Sequence, residues 1–385
     1  MIDVVIAGIG QIPVGEHWEQ SLRQMSTRAI RAAIADSGGL QPQALYIGNV
    51  FSSIISHQAN LGALLSDYAG YRGIEAYTVE AAGASGGGAL RMAYLAILSG
   101  YVDSALVLGI EKWTDQVGHE LQTAAATAMD YDYEFTPGMT VTGQSGLLMQ
   151  RYLHEYRLPA DALAGFPIQA HANALHNPNA IYHRKLTLEE YAAADKISDP
   201  LNLYDAAPMA DGAAALLLTR RDLLPADYPQ KLVRVLGSSV AIDTLAMHDR
   251  PDPLAFDAAR ISAERACGQA SIKPIYADVF ELDDSFSIYA ALTLEATGFA
   301  ARGKGCELAE SVFGTKAKLP ILTMGGCKAR GNPLGAKGVY QAVEAVMQLR
   351  GDCGTNQVPD ARIALIQCLG GPASTAITHV LERMD

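Results

Sequence analysis

Two adjacent carboxylates, Asp283 and Asp284, lie in the segment FELDDSF, residues 280–286. If both faced one pocket, like-charge repulsion and desolvation would raise one of them into the range of a general base. Neighbours on a strand point to opposite faces, so the pattern predicts that only one of the two faces inward. The alternative is that Asp284 caps a following helix. His171, His176 and His183 show no HExxH or Cys/His ligand spacing, so no metal site is expected. Arg184, Lys185, Lys328 and Arg330 are candidate phosphate contacts or simply solvated charges. A glycine-rich turn at Gly83 feeds a helix beginning near Ser85, whose N-terminal N–H groups favour negative charge. Gly86–Gly88 equally suit close helix packing.

The elements that must hold these groups alternate along the chain. Val4–Ile9, Ala105–Ile110 and Ala361–Ile366 are short apolar runs that predict buried strands. Leu90–Leu98 and Gly338–Leu349 carry helical spacing, which predicts an α/β protein with covered sheets. The order repeats. Strand Val4–Gly10, helix Ser26–Asp36, strand Ala44–Phe51, helix Ala89–Leu98 and strand Ala105–Ile110 form the first half. Strand Val233–Gly237, helix Phe256–Cys267, strand Tyr276–Leu282, helix Gly338–Leu349 and strand Ala361–Cys368 form the second. The halves are read as residues 1–230 and 231–385, with a loop or helical insertion over about 115–205. One doubly wound domain with a long insertion is the alternative.

Composition narrows the function. The 385 residues are 49% hydrophobic and 18% charged, which excludes disorder for the bulk of the chain. A net charge of −12 makes nucleic acid an unsuitable partner. No run approaches 18 apolar residues, so no membrane partner is expected. The N-terminal segment lacks a basic region and a cleavage site, which predicts a cytoplasmic chain. Five cysteines without a CxxC pair argue against a disulfide framework.

Four segments in order resemble the thiolase superfamily, most closely its archaeal and sterol-carrier types: Val79–Asp115, Asp199–Thr219 (DPLNLYDAAPMADGAAALLLT), Phe280–Phe286 and Gly325–Gly351 (GGCKARGNPLGAKGVYQAVEAVMQLRG). The resemblance implies two βαβαβαββ halves in a five-layered α-β-α-β-α sandwich. It also implies a coenzyme A thioester as substrate, no covalently bound cofactor, and a homodimer or tetramer. His171, His183, Arg184 and Lys185 fall in the insertion that contacts CoA in the family.

The departures from the family pattern set the chemistry. The motif E-x-A-C-A-S-G reads Glu80-Ala81-Ala82-Gly83-Ala84-Ser85-Gly86, with Gly83 where the nucleophilic cysteine belongs. G-H-P reads Gly331-Asn332-Pro333, and H-D-x-F reads Asp283-Asp284-Ser285-Phe286. The segment C-x-G-G is kept as Cys368-Leu369-Gly370-Gly371, where Cys368 is an acid/base group or a small buried hydrophobe. Cys327 is a substitute nucleophile or a packed core thiol. Thiolysis needs a thiolate and an activating imidazole, and glycine supplies neither. The residues that remain suit non-covalent, aldol-type carbon–carbon cleavage or formation, with Asp283 as base and Asn332 as an oxyanion donor. Steroid side-chain retro-aldolases of the superfamily also lack the cysteine and work with an OB-fold, zinc-ribbon partner. Acetyl-CoA acetyltransfer through another residue, and a non-catalytic acyl-CoA-binding subunit, are the alternatives.

Overall fold

The computed structural model describes residues 2–310 and 319–384. Its first half runs β1 (Val4–Gln11), α1 (Leu22–Asp36), β2 (Ala44–Gly48), α2 (Leu61–Ala69), β3 (Glu75–Val79), α3 (Ser85–Leu98) and β4 (Ser104–Glu111). The insertion is largely helical: α4 (His119–Ala126), α5 (Val141–Tyr156), α6 (Gly165–Ala174) and α7 (Leu188–Ala192), then a small hairpin, β5 (Lys196–Ser198) and β6 (Leu201–Asn202). Strand β7 (Gly212–Arg220) returns to the main sheet. The second half runs β8 (Val233–Ile242), α8 (Asp257–Gln269), β9 (Val279–Glu281), α9 (Ser287–Ala296), α10 (Lys337–Arg350), β10 (Ile363–Gly370) and β11 (Thr375–Arg383).

The main sheet has the order β3-β2-β4-β7-β1-β8-β11-β10-β9. Read outward from the β1–β8 junction, the two halves repeat the same order. A single bridge between Phe280 and Ile321 takes the seat that β3 holds in the first half. The junction itself is slight, with β1 and β8 paired only at Val5–Arg234 and Ile6–Val233. Helices α3 and α10 touch strands of both halves and form the middle layer. Helix α1 covers β1 and β7 on one outside, and α8 covers β8 and β11 on the other. This is the five-layered sandwich that the resemblance implies.

Local sequence explains the layers. Strand β4 is buried along its whole length, as a continuous apolar run between two helical layers must be. Helix α1 opens on a capping box between Ser21 and Gln24. The middle helices cross closely because glycines meet there. A β-carbon on Gly86 would lie 2.9 Å from the Gly335 carbonyl oxygen, and one on Gly338 would lie 2.6 Å from the Gly87 nitrogen. Gly86–Gly88 therefore serve close helix packing and also begin α3.

Several elements differ from the sequence expectations. The strand expected over Ala44–Phe51 stops at Gly48, because the buried Glu111 carboxylate takes the N–H groups of Val50 and Phe51. The strand expected over Tyr276–Leu282 shortens to Val279–Glu281. No described helix is long and apolar enough to cross a membrane.

Candidate active site

One cavity of about 420 Å³ opens where the N-termini of α3 and α10 meet the insertion. Gly83, Ser285, Lys328, Asn332 and Lys337 line its inner wall, and His171, Tyr182 and Tyr204 line the side formed by the insertion. The inner wall begins with a strained turn. Ala82 adopts φ 47°, a left-handed conformation costly for a residue with a side chain, and Gly83 follows it into α3. Ser85 Oγ stabilises the turn by donating to the Ala82 carbonyl and accepting from the Ala81 N–H.

Gly83 has no room for a side chain. An ideal β-carbon there would lie 2.5 Å from Lys337 Nζ and 2.7 Å from the Leu369 carbonyl oxygen. Lys337, the first residue of α10, thus fills the place where the resemblance puts a nucleophilic thiol. A cation at a helix N-terminus opposes the helix dipole, and burial opposes it further. Asp283 meets both costs. Its carboxylate pairs with Lys337 Nζ and accepts from Ser285 N, Ser285 Oγ and Leu369 N. Lys337 also donates to Ser285 Oγ at 3.1 Å. Burial pulls the Lys337 ammonium down, but Asp283, by charge and hydrogen bond, together with Cys327 and Cys368 holds the group above its ordinary range.

Asp283 does not line the cavity. It stands behind Lys337 and Ser285, fully buried. Asp284 does not cap α9, whose N-cap is Phe286. Its carboxylate instead accepts the N–H groups of Cys327 and Lys328 and secures the turn Gly326–Arg330. Gly326 is required there, because a β-carbon on it would strike Asp284 Oδ2 at 2.6 Å.

That turn delivers Lys328 and Asn332 to the wall. Lys328 is 2% exposed, and its Nζ donates to the Asp205 carbonyl oxygen at 2.6 Å. Burial lowers its ammonium below the ordinary range, with Asp284 the chief opposing charge. Asn332 is fixed through its backbone to Pro208 and Ala210, while its amide oxygen has no partner among the described residues. The Gln144 amide oxygen, on another wall, is likewise unpaired among them. Unpaired buried amides on a cavity wall are groups that a ligand can satisfy.

Other sequence candidates lie elsewhere. Arg330 cannot meet a CoA phosphate: it is fully buried, pairs with Glu344 at 2.5 Å and stacks over Tyr340. Tyr340 donates to the Ile12 and Ala213 carbonyls and is helix packing. Cys368 lies off the cavity, against Gln341 Oε1 at 3.2 Å, and burial pushes its thiol up to about 12. Burial also raises Cys327, which leaves its thiolate scarce at neutral pH. His171 stacks on Tyr182 with ring centres 5.3 Å apart, and burial lowers its pKa. His183 and Lys185 are exposed, and the exposed Arg184 reaches Glu190 and the Tyr204 hydroxyl. Lys337 is the group that sequence reasoning missed. No local pattern in the sequence marks it, because its partner Asp283 lies 54 positions earlier and the two meet only in the fold.

Comparisons with known proteins agree with this architecture. Residues 4–222 match the family model "Thiolase, N-terminal domain", and residues 239–383 match "Thiolase C-terminal domain-like". An acetyl-CoA acetyltransferase of Methanothermobacter thermautotrophicus is 38% identical over 386 residues, covering 100% of both chains. The benzoylsuccinyl-CoA thiolase subunit BbsB of Thauera aromatica is 29% identical, over 96% of this chain and 94% of its own. Among solved structures, an Ltp2-ChsH2(DUF35) aldolase chain superposes with a TM-score of 0.84 at 22% identity, covering 99% of this chain and 98% of that one. The Acat5 thiolase of Ascaris suum, solved in complex with coenzyme A, gives 0.76 at 18% identity, over 99% and 100%. With both halves matched and a relative at 38% identity along the whole length, the chain belongs to the thiolase family.

Proposed function

We propose that the cavity binds an acyl-CoA or related thioester and catalyses aldol-type carbon–carbon bond cleavage or formation without a covalent acyl-enzyme. One observation carries the reading. The seat of a nucleophile at position 83 is empty of side chain and filled by the Lys337 ammonium, which cannot attack a carbonyl while protonated. A fixed cation beside two helix N-termini suits a different task, which is holding the oxygen of a thioester enolate. Asn332 can add a hydrogen bond to that oxygen from its amide. Asp283 acts through Lys337 as a positioning residue.

The exposed His183, Arg184 and Lys185 stand at the insertion, where CoA phosphates would be met. A dimer, or a dimer of dimers, and an OB-fold, zinc-ribbon partner subunit belong to the same proposal. The family's other chemistry, acetyl transfer as named for the Methanothermobacter relative, would need a thiolate from Cys327 or Cys368, and both thiols are pushed up by burial.

The test is direct. The chain is purified alone and with its candidate partner, then supplied with β-hydroxyacyl-CoA, and release of the aldehyde or ketone is followed. Labelled acetyl-CoA and intact-mass analysis run alongside. Cleavage without an adduct is expected. A stoichiometric acyl adduct on Cys327 or Cys368 would overturn the reading, and binding without turnover would make the chain a non-catalytic subunit.

A further inference from the structure

We propose that Lys328 is the proton acceptor of this cavity, working opposite the fixed ammonium of Lys337. This rests on the thioester reading above and supplies the base that the reading requires. The two lysines share one wall yet have unequal partners. Lys337 is ion-paired to Asp283, whereas Lys328 Nζ has no carboxylate within 4 Å among the described residues and holds one backbone carbonyl. A buried amine without an ion pair loses its proton more readily than one clamped to a carboxylate. Two like groups whose surroundings drive their protonation apart are arranged for opposite roles. The charged and titratable groups facing Lys328 are Asp284, Asp205, Cys327 and Asp283, with His171 across the cavity. Burial outweighs the attraction of these carboxylates and lowers the Lys328 ammonium.

Asp283 is an unsuitable base by comparison, because it does not line the cavity and all four of its contacts are donors. Lys328 also shares a short segment with Asn332, so one turn sets both against a bound thioester. In the direction of bond formation, the α C–H bond of the thioester breaks and its proton passes to Lys328 Nζ. The electron pair becomes an enolate whose oxygen faces Lys337. The enolate carbon attacks the carbonyl carbon of the second substrate, and Lys328 returns the proton to the new alkoxide. Cleavage runs the same steps in reverse, with neutral Lys328 taking the β-hydroxyl proton first.

Exchange of the acetyl-CoA methyl protons for deuterium isolates the first step from the bond-forming one. The full chain is incubated with acetyl-CoA in D₂O, incorporation is read by mass spectrometry, and acetyl-CoA binding is measured separately. Wild type should exchange, faster as pH rises through the lowered Lys328 pKa. Lys328→Met should lose roughly 100-fold or more. Lys328→Arg keeps the cation and the donor to Asp205 but cannot release a proton, so it should bind acetyl-CoA and fail to exchange. This second variant decides the matter if Lys328→Met does not fold. Wild-type exchange in Lys328→Arg would overturn the inference, as would binding without exchange in wild type, or loss on His171→Gln with Lys328→Arg unaffected. Failure of wild type to bind acetyl-CoA would overturn the thioester reading and this inference together. Lys328-dependent exchange without β-hydroxyacyl-CoA cleavage would uphold Lys328 and overturn the aldol reading. Cleavage indifferent to Lys328 would do the reverse.

Discussion

Lys337 Nζ stands 2.5 Å from where a β-carbon of residue 83 would sit, and Asp283 pins it there. The glycine and the lysine are therefore one structural feature: the side chain absent from the turn makes room for the side chain arriving from α10. Lysine tips move easily, but the Leu369 carbonyl oxygen at 2.7 Å is backbone and does not.

Gly83→Cys should therefore destabilise the fold rather than restore a thiol. Overpacking of this kind costs about 1–3 kcal/mol. In a Lys337→Ala background, which carries its own cost from the unpaired Asp283, the same Gly83→Cys substitution should cost less, because the lysine tip is gone though the Leu369 carbonyl remains. Urea unfolding of the single and double variants measures the coupling. A Gly83→Cys chain as stable as wild type would contradict the packing described here.

Asp283→Asn should be more damaging than its small change in shape suggests. It strands a buried ammonium at a helix N-terminus, and removing one partner of a buried pair costs about 3–5 kcal/mol. In a Lys337→Met background the same substitution should cost much less, since no cation remains to be stranded. The comparison is again a double-mutant cycle in urea. Equal costs in both backgrounds would show that the Asp283–Lys337 pair is energetically idle.

Much of the fold was legible in the sequence because buried strands and amphipathic helices have periods that the residues display. β1, β4, α3 and α10 fall within a few residues of their expected places. The site was less legible, for a physical reason. Asp283 and Lys337 are 54 positions apart, and neither has local spacing that announces the other. The inward reading of Asp283 assumed a regular strand, but β9 ends at Glu281 and the turn beyond it sends the carboxylate behind the wall. Arg330 read as a phosphate contact or a solvated charge because its partner, Glu344, comes from the middle of a helix and is met only on folding.

The proposed dimer can be tested at a sheet edge that is unpaired among the described residues. Strand β3 ends the sheet, and its Tyr77 is 60% exposed. Met92, Leu95 and Leu98 of the adjacent α3 are also exposed. An edge strand with uncovered apolar neighbours is a template for pairing with another copy. Light scattering at micromolar concentration should show a dimer or a dimer of dimers. Tyr77→Lys with Leu95→Glu should shift it toward monomer. A monodisperse wild-type monomer would sink this expectation.

The last prediction concerns acid stability. His379, in the middle of β11, is fully buried and holds the Gly87 carbonyl oxygen with Nε2 at 3.0 Å, which ties that strand to α3. Burial lowers its pKa from 6.5 to about 4, so the folded ring stays neutral where the unfolded ring takes a proton. Between pH 6.5 and 4 the unfolded chain binds more protons at this site, and stability falls as pH falls through that window. The contribution is intact above pH 6.5 and gone below about 4, on the order of 3 kcal/mol in all. Glu111 works in the opposite sense. Burial raises its carboxyl to about 7, opposed by its backbone donors, so the folded state gains relative stability as pH falls from 7 toward 4.5. The two slopes partly cancel in wild type. His379→Leu should lower stability at pH 7 through the lost hydrogen bond, yet close the gap to wild type as pH approaches 4. Urea midpoints across pH 4–8 measure this, and parallel curves for the two proteins would show that His379 is protonated in the fold after all.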